Sequence, residues 1–351
     1  MTVRESVPVS SLTTLGVGGD ARYVLEIDSI DDIQTALAFS RERGLPFVVL
    51  GQGSNVLASD APYDGVILLM RIPGIAFSES DDSAVVRVTA GAGVEWDELV
   101  RACAERTLWG IENLAGIPGT VGAAPVQNIG AYGAEVHTAI ESVTVVDAST
   151  GGTLVLRNDE CGFSYRDSRF KHAPEFIITS VTFALRKDGA PHVEYADLIA
   201  AREKGMDLST PSAIGATVRA VRSVKFPDLS EYGTAGSFFK NPIITQGAYE
   251  ALSTKYAAAA APYGGIPKYP MPGHIKIPLA FILDKLLGLR GFKQGKTFLF
   301  GNQPLVLVAE QGARAEDVDA LAQKIEVAIE EATEIKIERE VRDLTFHEYH
   351  A

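Results

Sequence analysis

The chain has 351 residues, 46% hydrophobic and 22% charged, enough for two or three packed domains and not the composition of a disordered chain. Its net charge of -13 argues against a nucleic-acid binder, which needs basic surface, but leaves room for a local basic pocket around a small anion. Two cysteines, Cys103 and Cys161, without CxxC spacing exclude a disulfide framework or a structural zinc site and suit a reducing cytosol.

The first residues, Met1–Ser6, show no basic segment followed by an apolar run, so no signal peptide is expected. Arg22–Ile27 reads as a strand. Asp31–Arg43 reads as a helix with Ser29 as its cap and Gly44 as its stop. Phe47–Leu50 is a short buried strand running into Gly51-Gln52-Gly53-Ser54-Asn55, and Val66–Met70 is another. This β-α-β pattern marks a small unit ending near residue 70. Ala84–Ala90 is a strand and Glu95–Arg106 a helix with Trp96, Leu99, Val100 and Cys103 on one face. After the Gly/Ala-rich run Gly116–Gly133 come strands at Glu141–Asp147, Thr153–Leu156 and Phe176–Leu185. Thr217–Val224 fits helix or strand.

Beyond Phe226-Pro227 the pattern predicts a helix at Leu279–Leu287, a strand at Leu305–Val308, a long amphipathic helix at Ala315–Ala332 and a last strand at Glu334–Glu340. The alanine run Ala257–Ala261 reads as a surface insertion. The most apolar stretch, near Ile275–Leu287, is broken by Lys276, Pro278, Asp284 and Lys285, so no membrane span of ~20 apolar residues is expected. His137, His172, His192, His274, His347 and His350 lack ligand spacing, and no metal site is expected.

Two glycine motifs are decoys. Gly16–Ala21 loosely matches GxGxxA but lacks a preceding strand and is followed by one. Gly291–Thr297 is one residue short of a P-loop and follows a helix. Gly51–Asn55 is more informative, because it leaves a strand's carboxyl end. Its glycines permit a nest of converging N–H groups, and Ser54 and Asn55 add donors; a plain tight turn fits equally well. In Gly116–Gly133 small residues lie at a density that costs backbone entropy and is useful where backbone approaches a flat ligand or a pyrophosphate. The interspersed Ile, Val, Pro and Tyr argue against a merely flexible loop.

These two segments resemble the FAD-binding segments of the UDP-N-acetylenolpyruvoylglucosamine reductases. Three further motifs carry the same resemblance in the same order: Tyr165-Arg166-Asp167-Ser168, Gly236–Pro242 and Ile337–Arg342. The wording of Gly116–Gly133, the segment Val193–Asp197 around Tyr195, and Lys268-Tyr269-Pro270 are similar to the branch with an extra tyrosine-bearing loop. The resemblance implies an α+β chain with the FAD-binding fold of the vanillyl-alcohol-oxidase (PCMH) type. It implies a first FAD subdomain over 1–70, a second over 71–226 that regains 335–351, and a substrate domain over 227–334.

The implied chemistry is NADPH-dependent reduction, through non-covalently bound FAD, of UDP-N-acetylglucosamine enolpyruvate to UDP-N-acetylmuramate for peptidoglycan, by a cytoplasmic and monomeric enzyme. By resemblance Gly51, Gln52, Gly53, Ser54, Asn55, Gly119, Thr120, Gly122, Ala123, Gln127, Asn128, Gly130 and Ala131 bind FAD. Arg166 and Glu340 stabilise the enolate and Ser237 protonates it. An always-charged guanidinium suits a carboxylate-conjugated enolate, and Glu340 serves best protonated, which needs a raised pKa. The plain alternatives are an Arg166–Glu340 salt bridge and a small turn residue at Ser237. Tyr195, Lys225, Asn241, Tyr269, Lys276 and Gln303 match positions near the UDP and sugar. The rival enzyme is an FAD oxidase of the same superfold acting on a hydroxy compound. Many such oxidases tether flavin through His or Cys, and Gly51–Asn55 contains neither.

Overall fold

The computed structural model describes residues 1–349. His350 and Ala351 lie outside the described residues, so the end of the expected 335–351 return and one of the six histidines cannot be placed, nor can the side chain of His347.

The first sheet has the order β1 (Thr2–Pro8), β2 (Asp20–Ile27), β5 (Tyr63–Met70), β3 (Phe47–Leu50). β2 and β3 run parallel to β5, and β1 closes the edge antiparallel. Helix α1 (Ile30–Arg43) makes the crossover. The Ser29 hydroxyl caps it by accepting from the Asp32 N–H, and Gly44 ends it at φ +60°. The strands read as unbroken apolar runs because both faces are buried. Leu25, Phe47 and Leu68 face the main core, while Val24, Val48 and Ile67 face a second cluster with Leu344. The short strand β4 (Val56–Leu57) follows the Gly51–Asn55 loop.

An antiparallel sheet follows, built from β6 (Ile75–Glu79), β7 (Val85–Gly91), β10 (Ile140–Asp147), β11 (Thr153–Arg157) and β12 (Phe176–Arg186), in the order β11-β10-β12-β7-β6. Helix α2 (Trp96–Glu105) packs Trp96, Leu99, Val100 and Cys103 into the core it shares with the first sheet. The two-residue strands β8 (Gly130–Ala131) and β9 (Ala134–Glu135) end the glycine-rich run in a hairpin. After α3 (Ala196–Glu203), the ambiguous Thr217–Val224 stretch lies inside helix α4 (Pro211–Lys225). Thr210 caps α4 through the Ala213 N–H, and Pro211 takes its first turn.

A third sheet takes β13 (Gly233–Ser237), β19 (Val306–Ala309), β18 (Thr297–Leu299) and β17 (Lys293–Gln294) in that order. The P-loop-like Gly291–Thr297 is the turn of the β17–β18 hairpin, with Gly295 at φ +57°. A small sheet of β14 (Ile243–Ile244), β16 (His274–Lys276) and β15 (Tyr269–Met271) lies beside α5 (Gln246–Lys255). The alanine run is not a mere surface insertion: it forms α6 (Ala257–Ala260), and Ala260 is buried. The helix expected at Leu279–Leu287 is one α turn, α7 (Leu279–Phe281), widened into a π segment over Ile282–Leu286. Helix α8 (Ala315–Thr333) covers this unit's core.

The expected strand at Glu334–Glu340 does not form. Its alternating apolar residues suggested one, yet Glu334 turns left-handed at φ +59°, and Arg339 reaches α8 to pair with Asp319 and Glu326. Among the described residues its backbone meets its neighbour through Lys240 N–H to Glu338 O and Glu340 N–H to Phe238 O, an isolated bridge between Phe239 and Arg339. A two-residue strand, β20 (Arg342–Asp343), then pairs in parallel with β4, and Tyr349 bridges Phe47, so the chain's end returns to the first unit.

Candidate active site

A cleft opens where these units meet. Its wall on one side is Gly51–Asn55 with Val49 and Val56; on the other it is Ile117–Thr120 with Gly122, Ala123, Ala124, Val126, Gln127, Ile129 and Gly130. The two glycine segments clasp each other. The Gly119 N–H donates to Gln52 Oε1 at 2.8 Å, Ser54 Oγ donates to Pro118 O at 3.0 Å, and Asn55 Nδ2 donates to Gln127 Oε1 at 2.7 Å. Close backbone approach explains the glycines: a Cβ on Gly51 would lie 2.5 Å from Thr120 Oγ1. One on Gly53, itself at φ +62°, would lie 2.4 Å from Leu12 O.

Arg166, Ser237 and Glu340, far apart in sequence, all line this cleft. Arg166 sits third in a tight turn closed by Ser164 N–H to Asp167 O at 3.0 Å and Asp167 N–H to Ser164 O at 3.2 Å. Its φ of +54° is the left-handed backbone that favours Gly or Asn there. That turn sends the guanidinium into the cleft, where Nη2 donates to Gly130 O at 2.8 Å and Nε lies 2.9 Å from Glu340 Oε1. Glu340 is 9% exposed. Burial pushes its carboxyl pKa up, against the pull of Arg166, Lys171 and Lys240. Ser237 ends β13 after Gly236, at φ +75°, where the register with β19 slips. Lys240 places its ammonium 2.6 Å from Glu338 Oε2.

Among the residues expected to hold FAD, Gly51, Gln52, Gly53, Ser54, Asn55, Gly119, Thr120, Gly122, Ala123, Gln127 and Gly130 line the cleft, whereas Asn128 and Ala131 do not. Asn128 is fully buried at φ +45°, and its side chain is consumed internally. Nδ2 donates to Glu135 Oε2 and Ser164 O, and Oδ1 accepts from the His137 N–H. It ties the glycine run to the Arg166 turn.

None of the residues expected to meet the substrate is among those that line the cleft. Lys276 Nζ lies 4.7 Å from the Tyr165 ring centre and 5.9 Å from that of Tyr269. Tyr165, whose hydroxyl burial pushes up, is hydrogen-bonded to Asn241. Asn241 Oδ1 also accepts the Leu279 N–H at 2.9 Å and so starts α7. Tyr195, 40% exposed, packs edge-on against Tyr132, and Lys225 donates to Asp197 on the same helix start. Gln303 sits in the turn before β19, the strand that pairs with Ser237.

The sequence reading missed Lys171, Phe170 and Arg222, which also line the cleft. Arg222 on α4 donates from Nε to Gly116 O at 2.9 Å, and burial lowers its pKa. Recognising α4 as a helix was the signal that could have found Arg222. Among the described residues no cluster of three or more His, Cys, Asp or Glu could hold a metal, and no helix is long and apolar enough to cross a membrane. Cys103 and Cys161 are free, and burial pushes both thiols up to about 12.

Residues 21–157 match the profile of an FAD binding domain, and residues 228–344 match that of the UDP-N-acetylenolpyruvoylglucosamine reductase C-terminal domain. The UDP-N-acetylenolpyruvoylglucosamine reductase of Ralstonia nicotianae is 40% identical over 341 residues, covering 95% of this chain and 96% of its own. The protein of the same name from Pseudoalteromonas atlantica is 40% identical, covering 97% and 95%. The chain belongs to the UDP-N-acetylenolpyruvoylglucosamine reductase family. It is an FAD-binding oxidoreductase, with the PCMH-type fold expected from its motifs. The crystal structure of the UDP-N-acetylenolpyruvylglucosamine reductase from Thermus caldophilus shares that fold, with a TM-score of 0.66 at 24% identity, covering 97% of this chain and 98% of that one.

The cleft fits the cofactor on its own geometry. It combines close-packed glycine backbone, apolar surface from Val49, Val126, Phe170 and Ile178, and the cations Arg166 and Arg222. A long ligand with a flat ring at one part and a diphosphate at another needs that mixture.

Proposed function

We propose that this reductase reduces UDP-N-acetylglucosamine enolpyruvate to UDP-N-acetylmuramate with NADPH as donor, in the cytoplasmic synthesis of peptidoglycan precursor. FAD, when bound, supplies the hydride relay between donor and substrate. The subdomain division at 70 and 226 is part of the same proposal, as is a monomeric enzyme; the return of 335–351 is taken with the first subdomain rather than the second, since β20 pairs with β4 and Tyr349 with Phe47.

The observation that carries the reading is the convergence of Arg166, Glu340 and Ser237 on the glycine-walled cleft. Hydride delivery to the enolpyruvyl group leaves an enolate conjugated to a carboxylate. The Arg166 guanidinium gives that charge a fixed, permanently cationic partner. A protonated Glu340, favoured by its burial, donates a hydrogen bond to the enolate oxygen. Ser237 Oγ gives its proton to the enolate carbon. Tyr195, Lys225, Asn241, Tyr269, Lys276 and Gln303 would hold the nucleotide sugar, with the two ammonium groups toward the diphosphate. Gly51–Asn55 and Gly119–Gly130 would hold FAD.

The test is an anaerobic visible spectrum of the flavin-loaded protein. NADPH should bleach it, and UDP-N-acetylglucosamine enolpyruvate should restore the colour. Recovery with oxygen alone would favour the hydroxy-compound oxidase and overturn the assignment.

A further inference from the structure

The turn that aims Arg166 is energetically awkward, since a non-glycine residue in left-handed backbone is strained. Beyond the two hydrogen bonds between Ser164 and Asp167, a buried lysine bonds to its backbone. Lys171 closes the short 3-10 turn Arg169–Lys171 and is 3% exposed. Its Nζ donates at 2.6 Å to the backbone carbonyl of Arg166 itself. Lysine is rarely buried so completely without a carboxylate partner, and this one gives its hydrogen bond to a peptide oxygen.

We propose that Lys171 is a positioning residue: its ammonium clamps the Arg166 carbonyl, fixes the left-handed turn, and so sets the guanidinium against Glu340 and Gly130. This rests on the reading of Arg166 and Glu340 as the pair that meets the enolate. The charge of Lys171 also acts on Glu340 directly, since it opposes the rise in that carboxyl's pKa. One lysine therefore tunes both members of the pair, one through the backbone and the other through the field.

The groups facing Lys171 are Arg342 on β20, Lys240 after β13, Asp167 in the turn and Glu340. Burial first, then the like charges of Arg342 and Lys240, bring the ammonium down to about 8, while Asp167 and Glu340 pull the other way. The clamp is charged below that pH and neutral above it. In the neutral state the carbonyl loses a charge-assisted bond and the Arg166 turn loses its clamp, whereas Glu340, relieved of that cation, holds its proton more readily, so the loss falls on Arg166. Enolate stabilisation should weaken as pH rises through about 8.

The experiment compares wild type, Lys171→Met and Lys171→Gln, each loaded with FAD. Rapid mixing reads the two half-reactions separately across pH, and flavin fluorescence reads FAD retention. In wild type, reoxidation of reduced flavin by the enolpyruvyl substrate should slow above about pH 8. In K171M that half-reaction should fall by about 10²-fold, as small misplacements of a reacting group do, and lose its alkaline limb. Bleaching by NADPH and FAD retention should stay within about threefold of wild type, since neither needs the pair. Unchanged reoxidation and an unchanged limb in K171M would overturn the proposal, as would equal loss of both half-reactions together with FAD. If K171M does not fold, K171Q decides, because it keeps a donor without the charge: a wild-type limb in K171Q overturns the role. If wild-type flavin is never reoxidised by the enolpyruvyl substrate, the parent reading fails instead, and the control shows it.

Discussion

The backbone N–H of Glu340 donates to the carbonyl of Phe238 at 2.8 Å, one residue beyond Ser237. A residue from the chain's end is thereby pinned beside the β13 terminus, with the proposed acid and the proposed electrophile on neighbouring backbone. Because the pin is main-chain, either side chain can be changed without dismantling the other's support.

Ser237→Ala should separate the two half-reactions. The hydroxyl lines the cleft at the end of β13. Removing a general acid typically costs about 10²–10⁴-fold in the step it serves. Substrate reduction should fall by that much, while flavin bleaching by NADPH stays near wild type. Equal loss in both steps would remove Ser237 from the protonation role.

Glu340→Gln discriminates an electrophile from a plain salt bridge through stability. Burial raises the Glu340 carboxyl above its usual 4.5 despite Arg166. A carboxyl raised in the folded state weighs against folding once pH climbs above its unfolded value, and the cost grows until the folded pKa is passed. Glutamine has no such cost. The Tm of E340Q minus that of wild type should therefore grow more positive as pH rises from about 4 to about 8. A difference that instead falls with pH would mean that Glu340 is held as a paired carboxylate, with the electrophile role lost. Substrate reduction in E340Q should drop by about 10²–10³-fold.

Local signals were the legible ones. Helix α1 was readable end to end because Ser29 and Gly44 cap it with their own atoms. The glycine segments were readable as a cradle because close approach demands small residues, and Gly51 against Thr120 shows that demand. What eluded the sequence depended on distant partners. Ile335, Ile337 and Arg339 alternate like a strand, but α8 takes the arginine and no ladder forms. Asn128 resembled a ligand donor, and only the fold reveals that Glu135, Ser164 and His137 use its whole amide. Lys171 belongs to no motif, because the carbonyl it holds lies in a turn that cannot be seen in sequence.

Gly51→Ala tests the cradle. The new methyl would stand 2.5 Å from Thr120 Oγ1 and 3.3 Å from Thr120 Cγ2, so the two clasped segments must part. Overpacking of this kind costs about 1–3 kcal/mol. Because the gap between the segments is the cleft wall, that strain should appear as weaker FAD binding of about tenfold or more, one factor of ten per 1.4 kcal/mol. Flavin content after dialysis against buffer, read by absorbance, checks it. A fully loaded G51A with wild-type retention would show that this wall does not touch the cofactor.

Asp97→Ala should loosen the same wall from behind. Asp97 on α2 accepts the Gly116 N–H at 2.7 Å and pairs with Arg219 on α4 at 2.8 Å, holding the entry of the glycine run between two helices. Burial alone would raise its carboxyl, but the hydrogen bonds from Arg219 and Gly116 outweigh it and hold the pKa below 3.8. A depressed carboxyl stabilises the fold above its unfolded pKa, and that support is lost as pH falls through the folded value. D97A should lose about 2 kcal/mol at neutral pH, typical of hydrogen bonds to a charged group, and the deficit should shrink toward pH 3. Urea denaturation at both pH values measures it. A deficit that stays constant with pH would mean that packing, not the ionised carboxylate, is what Asp97 contributes at the mouth of the cleft.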